Sequence, residues 1–177
     1  MRSTNSIINV GIRLMQAVLR ATSGSSRQPS RRRREQTSRR QTSQKYPGDF
    51  TGNPHISYTP FDDNLADPGE VVWTWVPYEE DFSQGKDRPV LIIGRDGRWL
   101  LALQVTSHDH DLDASREARA GRYWEDIGTG GWDSQGRPSE VRLNRIIRID
   151  PHSVRRIGAV LDEGRFNRVA KGVARHS

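Results

Sequence analysis

Cysteine is absent from this chain of 177 residues. Its absence excludes a disulfide framework, a thiolate zinc site and a cysteine nucleophile, and it fits a reducing compartment such as the cytoplasm. Long apolar runs are missing too. The most apolar early segment, Ser6 to Arg20, is interrupted by Arg13 and is too short to span a bilayer. Nor does a small-x-small cleavage site of the secretory kind follow it. Acidic residues are scarce in one place only: residues 1–45 hold eleven Arg or Lys and the single acid Glu35. The net charge of +6 therefore belongs to an N-terminal arm, and residues 46–177 carry about −4. A chain of this length predicts one domain with additions.

The arm divides in two. Over residues 1–21, Ile7, Ile8, Ile12, Leu14, Met15, Val18 and Leu19 recur at helical spacing opposite Asn9, Arg13, Gln16 and Arg20, which predicts an amphipathic helix. Rich in Arg and Ser and lacking acids, residues 1–34 have the composition of an organellar transit peptide. A membrane-surface helix, an association helix and a dispensable extension from an upstream start codon all fit it. Residues 22–45 are Ser, Thr, Gln and Arg without apolar content, a composition that cannot offset chain entropy and predicts disorder. Within them Arg31, Arg32, Arg33 and Arg34 can neutralise phosphates of RNA, DNA or an anionic membrane, or simply keep a linker solvated.

From Tyr46 the character changes. Pro47, Gly48, Pro54, Pro60, Pro68 and Gly69 punctuate an extended lead-in over 46–66. The β-branched and aromatic run Glu70 to Val76 predicts a strand, as does Pro89 to Gly94. Arg95-Asp96-Gly97 then turns the chain into a central, buried strand from Trp99 to Val105. Two short strands are expected at Glu140–Leu143 and Arg145–Asp150, and a helix over Arg165–Val173, where Phe166, Val169, Ala170 and Val173 share a face. The fold expected is mainly β with a C-terminal helix, a small barrel or twisted sheet.

The run Gly85-Lys86-Asp87-Arg88-Pro89 places Arg88 at the mouth of a strand, where a planar guanidinium can grip phosphate through two hydrogen bonds. A plain surface Arg fits the same local pattern. After the central strand come the hydroxyls of Thr106 and Ser107. Next is His108-Asp109-His110-Asp111, in which His108 or His110 has the side chain for acid–base work; a polar loop also fits, and no distant third ligand suggests a metal. Glu79-Glu80-Asp81 reads as a solvated acidic loop that can turn RNA away. Trp124 and Trp132 fall in a long segment, His108 to Arg137, where an aromatic ring can stack on an unpaired base.

Taken in order, Pro68 to Trp73, Gly85 to Ile93, Val105-Thr106-Ser107 and Ser139 to Leu161 resemble the PemK/MazF toxins, the ribonuclease halves of bacterial type II toxin–antitoxin systems. The resemblance covers roughly residues 67–174, so the domain is assigned to 67–177. It implies an SH3-like barrel, a homodimer, a cognate antitoxin partner, DNA contact only through the antitoxin complex, and cofactor-free, metal-independent cleavage of single-stranded RNA in the bacterial cytoplasm. It also implies that Arg88, Thr106, Ser107 and Arg142 are the catalytic positions. PemK-type members carry an acid two residues after the Arg at Arg142, assigned to proton transfer, and this chain has Asn144 there. An amide cannot exchange a proton at neutral pH, so another group must serve, or the domain is a non-catalytic nucleic-acid-binding or regulatory module.

Overall fold

The computed structural model describes residues 46–108 and 114–176. The chain divides into two units, 1–36 and 37–177, and every described residue belongs to the second. The expected amphipathic helix, the Arg/Ser linker with Arg31 to Arg34, and His110 lie outside the described residues.

Strands β1 (Glu70–Pro77), β2 (Gly85–Asp96), β3 (Trp99–Thr106), β4 (Trp124–Gly128), β5 (Ser139–Ile149) and β6 (Arg156–Val160) form an antiparallel sheet in the order β4-β5-β3-β2-β1-β6. Helix α1 (Ala114–Arg119) precedes β4, and α2 (Glu163–His176) closes the chain. The mainly β architecture with a C-terminal helix is as the sequence implied, and β3 is central. Residues on both faces of β2 and β3 are apolar, so the sheet carries two cores. On one face Leu91, Ile93, Leu101 and Leu103 pack with Phe166, Val169 and Val173 of α2. On the other, Val90, Ile92, Leu100 and Ala102 pack with Val72, Ile147 and Ile149. Asp162 starts α2: its Oδ1 accepts from Arg165 N at 3.1 Å and its carbonyl from Phe166 N at 2.9 Å. Burying Phe166, Val169 and Val173 contributes about 1.5–3 kcal/mol each, which holds the helix on the sheet.

Five elements differ from expectation. Strand β2 begins at Gly85, not Pro89, because Lys86, Asp87 and Arg88 pair with Val76, Trp75 and Thr74 of β1. Strand β3 joins β2 only from Val90 onward, so the flank beside Pro89 is unpaired and tolerates a residue without an N–H. Strand β5 is one strand of 11 residues rather than two. The irregularity read as a break is a bulge, since Leu103 faces Ile146 while Val105 faces Val141. Strands β4 and β6 and helix α1 were not expected. Strand β4 buries only Ile127, too little to make a pattern.

The lead-in is a strap over the sheet. Phe50 N donates to Ile146 O at 2.8 Å, Ser57 N to Ile93 O at 3.1 Å, and the Tyr58 hydroxyl to Leu161 O at 2.8 Å. Gly94 permits the crossing: a Cβ there would stand 2.2 Å from His55 O. Asp49 anchors the strap's start by accepting from Arg145 Nε at 2.8 Å and from the Tyr46 hydroxyl. Beyond β4 the chain folds back onto the far side of the sheet. Trp73 Nε1 donates to Trp132 O at 2.9 Å, and the backbone at Gly158 of β6 meets Trp132 so closely that a Cβ would stand 3.1 Å from its Cα. The sheet is thereby curled as in a small barrel.

Candidate active site

The splay of β2 and β3 below Val90 leaves a cleft of about 370 Å³ between their ends. Arg88 and Pro89 line one side, Thr106 and Ser107 the other, and the turn from Trp132 to Arg137 the third. Arg88, Thr106 and Ser107, which the sequence put forward separately, therefore share one cavity. Arg88 lies within β2 rather than at its mouth, register partner of the fully buried Thr74.

The Arg88 guanidinium is half-buried and, among the described residues, has no carboxylate paired with it, and its Nε is buried without a hydrogen-bond partner there. Burial pulls its pKa below the usual arginine value, and the Arg145 charge nearby adds to that. It remains a cation at any working pH. A buried charged donor left unpaired is costly, so the site is organised for an anion it does not itself contain. Thr106 Oγ1 accepts from His108 N at 3.2 Å, which fixes the oxygen and leaves the hydroxyl proton to donate into the cleft. The lining carboxylates are both engaged. Asp87 pairs with Arg155, and Asp133 with Arg137 at 2.8 Å, whose hydrogen bond holds the Asp133 carboxyl below its ordinary range.

The remaining candidates lie apart from this cavity or are spoken for. Arg142 does not line the cleft. Its Nη1 and Nη2 donate to Glu79 at 2.7 and 3.2 Å, and its Nε to Asn144 Oδ1 at 3.3 Å. Asn144 itself clamps the turn before β4, accepting from Tyr123 N and donating to Gly121 O. Trp132 lines the cleft with a ring that is 2 % exposed, and its Nε1 donates to Ser139 Oγ at 3.1 Å. Trp124 is half-buried in β4, its Nε1 donating to Glu117 at 3.0 Å. His108 is exposed one residue beyond Ser107. Among the described residues no group of His, Asp or Glu is placed to hold a metal ion, and no helix is long and apolar enough to cross a membrane.

Sequence reading passed over Asp49 and Arg145 and took Glu79 only as part of a solvated acidic loop. Each makes its ion pair across more than sixty residues of chain, which no local pattern announces.

The family profile of PemK-like, MazF-like toxins of type II toxin–antitoxin systems matches residues 67–176. The chain belongs to this family. Among solved structures, MazE-MazF (Form-II) from Deinococcus radiodurans is 18 % identical, covering 64 % of this chain and 96 % of that one with a TM-score of 0.44. The Mycobacterium tuberculosis toxin MazF-mt6 is 17 % identical, covering 60 % and 94 % with a TM-score of 0.40. No curated protein sequence matches. The family match begins at residue 67, so the strap over 46–66 is an addition to the matched domain that packs on its sheet.

Proposed function

We propose that this toxin-family protein is an endoribonuclease that cleaves single-stranded RNA without metal. The observation that carries the reading is the half-buried Arg88 with its unpartnered Nε in a cleft shared with Thr106 and Ser107. In the proposed step the substrate's 2′-hydroxyl gives up its proton to solvent water, its oxygen attacks the adjacent phosphorus, and the 5′-oxygen leaves and takes up a proton, giving a 2′,3′-cyclic phosphate and a free 5′-hydroxyl. Arg88 and the two hydroxyls donate to the non-bridging oxygens as negative charge gathers there. Asp87 and Asp133 are held in ion pairs with Arg155 and Arg137. Protonation of the leaving oxygen is assigned to the histidine segment that follows Ser107, with His108 nearest in sequence to the cleft.

The same reading makes the chain a cytoplasmic bacterial protein that acts as a homodimer and is neutralised by a cognate antitoxin, meeting DNA only in that complex. Asn144 favours the second reading, a nucleic-acid-binding module without turnover, since it contributes a structural amide where a proton donor is expected. Sequencing RNA 5′ ends after incubation with wild type and Arg88→Ala decides between them. Cleavage by wild type in EDTA, lowered about 10²–10³-fold in the variant as for loss of one oxyanion donor, supports the enzyme. Intact RNA with wild type at micromolar concentration leaves the binding module.

A further inference from the structure

Glu79 leaves the end of β1 and reaches β5, where both its oxygens engage the two terminal nitrogens of Arg142. The acid is on the outside of the pair: the Arg142 side chain is 11 % exposed and that of Glu79 53 %. Asn144 holds the third nitrogen, so the guanidinium is aimed from behind and its fork faces outward into the carboxylate. The charges of Arg145 and Arg122 also act on Glu79, after Arg142 itself, and hold its carboxyl below the ordinary range. The place that Glu79 fills is thus cationic on several sides and shaped for a planar pair of anionic oxygens.

That place is next to the cleft. Thr106 and Glu140 are register partners, and Arg142 lies two residues from Glu140 along β5, about 7 Å at strand rise. One nucleotide of an extended single strand spans such a step.

We propose that Glu79 occupies the Arg142 fork, beside the Arg88–Thr106 cleft, as an internal stand-in which a phosphodiester of the single-stranded RNA displaces. The inference rests on the RNA reading above but concerns binding rather than cleavage. Glu79 is then a brake: RNA gains the Arg142 contact only by releasing this carboxylate to solvent, which its exposure permits. The acidic loop between β1 and β2 acts through this one carboxylate and not through its summed charge.

The test uses the full chain carrying Arg88→Ala, so that the RNA stays intact, and a fluorescein-labelled single-stranded oligoribonucleotide followed by anisotropy from 50 to 300 mM salt. Adding Glu79→Gln tightens binding about tenfold, the worth of one charge-assisted hydrogen-bonded contact. It also steepens the slope of log K against log salt by about 0.7, one more phosphate. Adding Arg142→Gln to that variant returns affinity and slope to the parent's. Glu80→Gln, which removes the same charge one residue away, leaves both unchanged. Unchanged binding in Glu79→Gln, tight binding that survives Arg142→Gln, or an equal gain from Glu80→Gln overturns the proposal. Wild type that neither binds nor cuts RNA would instead overturn the RNA reading itself, so the two failures are distinguishable.

Discussion

Replacing Asp49 by Ala removes a partner from a buried charge. The Arg145 side chain is 5 % exposed and gives Nε to Asp49 Oδ2 at 2.8 Å and Nη2 to Oδ1 at 3.4 Å; its other bond, Nη2 to Pro77 O at 2.9 Å, survives the change. Leaving such a guanidinium uncompensated costs about 3–5 kcal/mol, and the orphaned Tyr46 hydroxyl adds about 1 kcal/mol. The retained bond to Pro77 favours the lower end, so a total of about 4 kcal/mol is expected. That is a large part of the 5–15 kcal/mol typical of a domain. The assay is urea unfolding followed by tryptophan fluorescence, with m-values compared so that a shift in midpoint reports stability alone. The double variant Asp49→Ala/Arg145→Met exchanges the pair for apolar volume and recovers most of the loss. A single variant within about 1 kcal/mol of wild type would refute the argument. It would mean that the strap, which lies outside the family match, is an ornament and not part of the core.

Gly158→Ala puts a Cβ 2.9 Å from Val71 O and 3.1 Å from Trp132 Cα, so it destabilises by about 1–3 kcal/mol and shifts the Trp132 wall; urea midpoints and near-ultraviolet dichroism read both effects. Glu70 is buried at 2 % exposure, and that burial raises its pKa above the ordinary 4.5. The native state thus holds this proton more tightly than the unfolded chain, and its contribution to stability is full below pH 4.5 and lost as pH rises through the raised value. Glu70→Gln, whose amide oxygen can still accept from Asp67 N, is therefore more stable than wild type at pH 7, and the difference vanishes in pH-dependent melts below 4.5. Deleting residues 1–45 leaves unfolding midpoint and cutting unchanged while weakening salt-sensitive RNA affinity. Deleting 1–66 removes the strap and lowers the urea midpoint steeply.

What the sequence disclosed and what it withheld follow from the range of the interactions. Strands β1, β2 and β3 were legible because each carries a run of four or more apolar or β-branched residues, a signal that needs no partner. Helix α2 was legible from the spacing of Phe166, Val169 and Val173. The start of β2 was not. Lys86, Asp87 and Arg88 have no strand pattern and are extended only because β1 lies alongside. Strand β6 is a similar case, extended by its pairing with β1. At the site, Arg88, Thr106 and Ser107 could be put forward from order along the chain. The burial of Arg88 Nε without a partner among the described residues could not, since it depends on packing from elements distant in sequence. Arg142 shows the reverse: its type and position were legible, but its capture by Glu79 was not, because the two are separated by 63 residues.

Charge placement decides how such a site can meet an anionic polymer. Residues 46–177 carry about −4, so the long-range field of this segment does not favour RNA. Much of its positive charge is also spent internally, Arg145 on Asp49, Arg148 on Asp96, Arg137 on Asp133 and Arg142 on Glu79. Arg88 differs because, among the described residues, its buried Nε has no partner. Binding should therefore be governed by a short-range, desolvated contact at the cleft, with the arm and its Arg31 to Arg34 supplying the salt-sensitive approach. The two contributions separate experimentally. Removing the arm flattens the salt dependence of association and leaves dissociation from the cleft nearly unchanged, whereas Arg88→Ala speeds dissociation and changes the salt slope by no more than about one contact. Stopped-flow anisotropy with the labelled oligoribonucleotide measures both rates, and an Arg88→Ala effect confined to association would show that the cleft does not hold the phosphate.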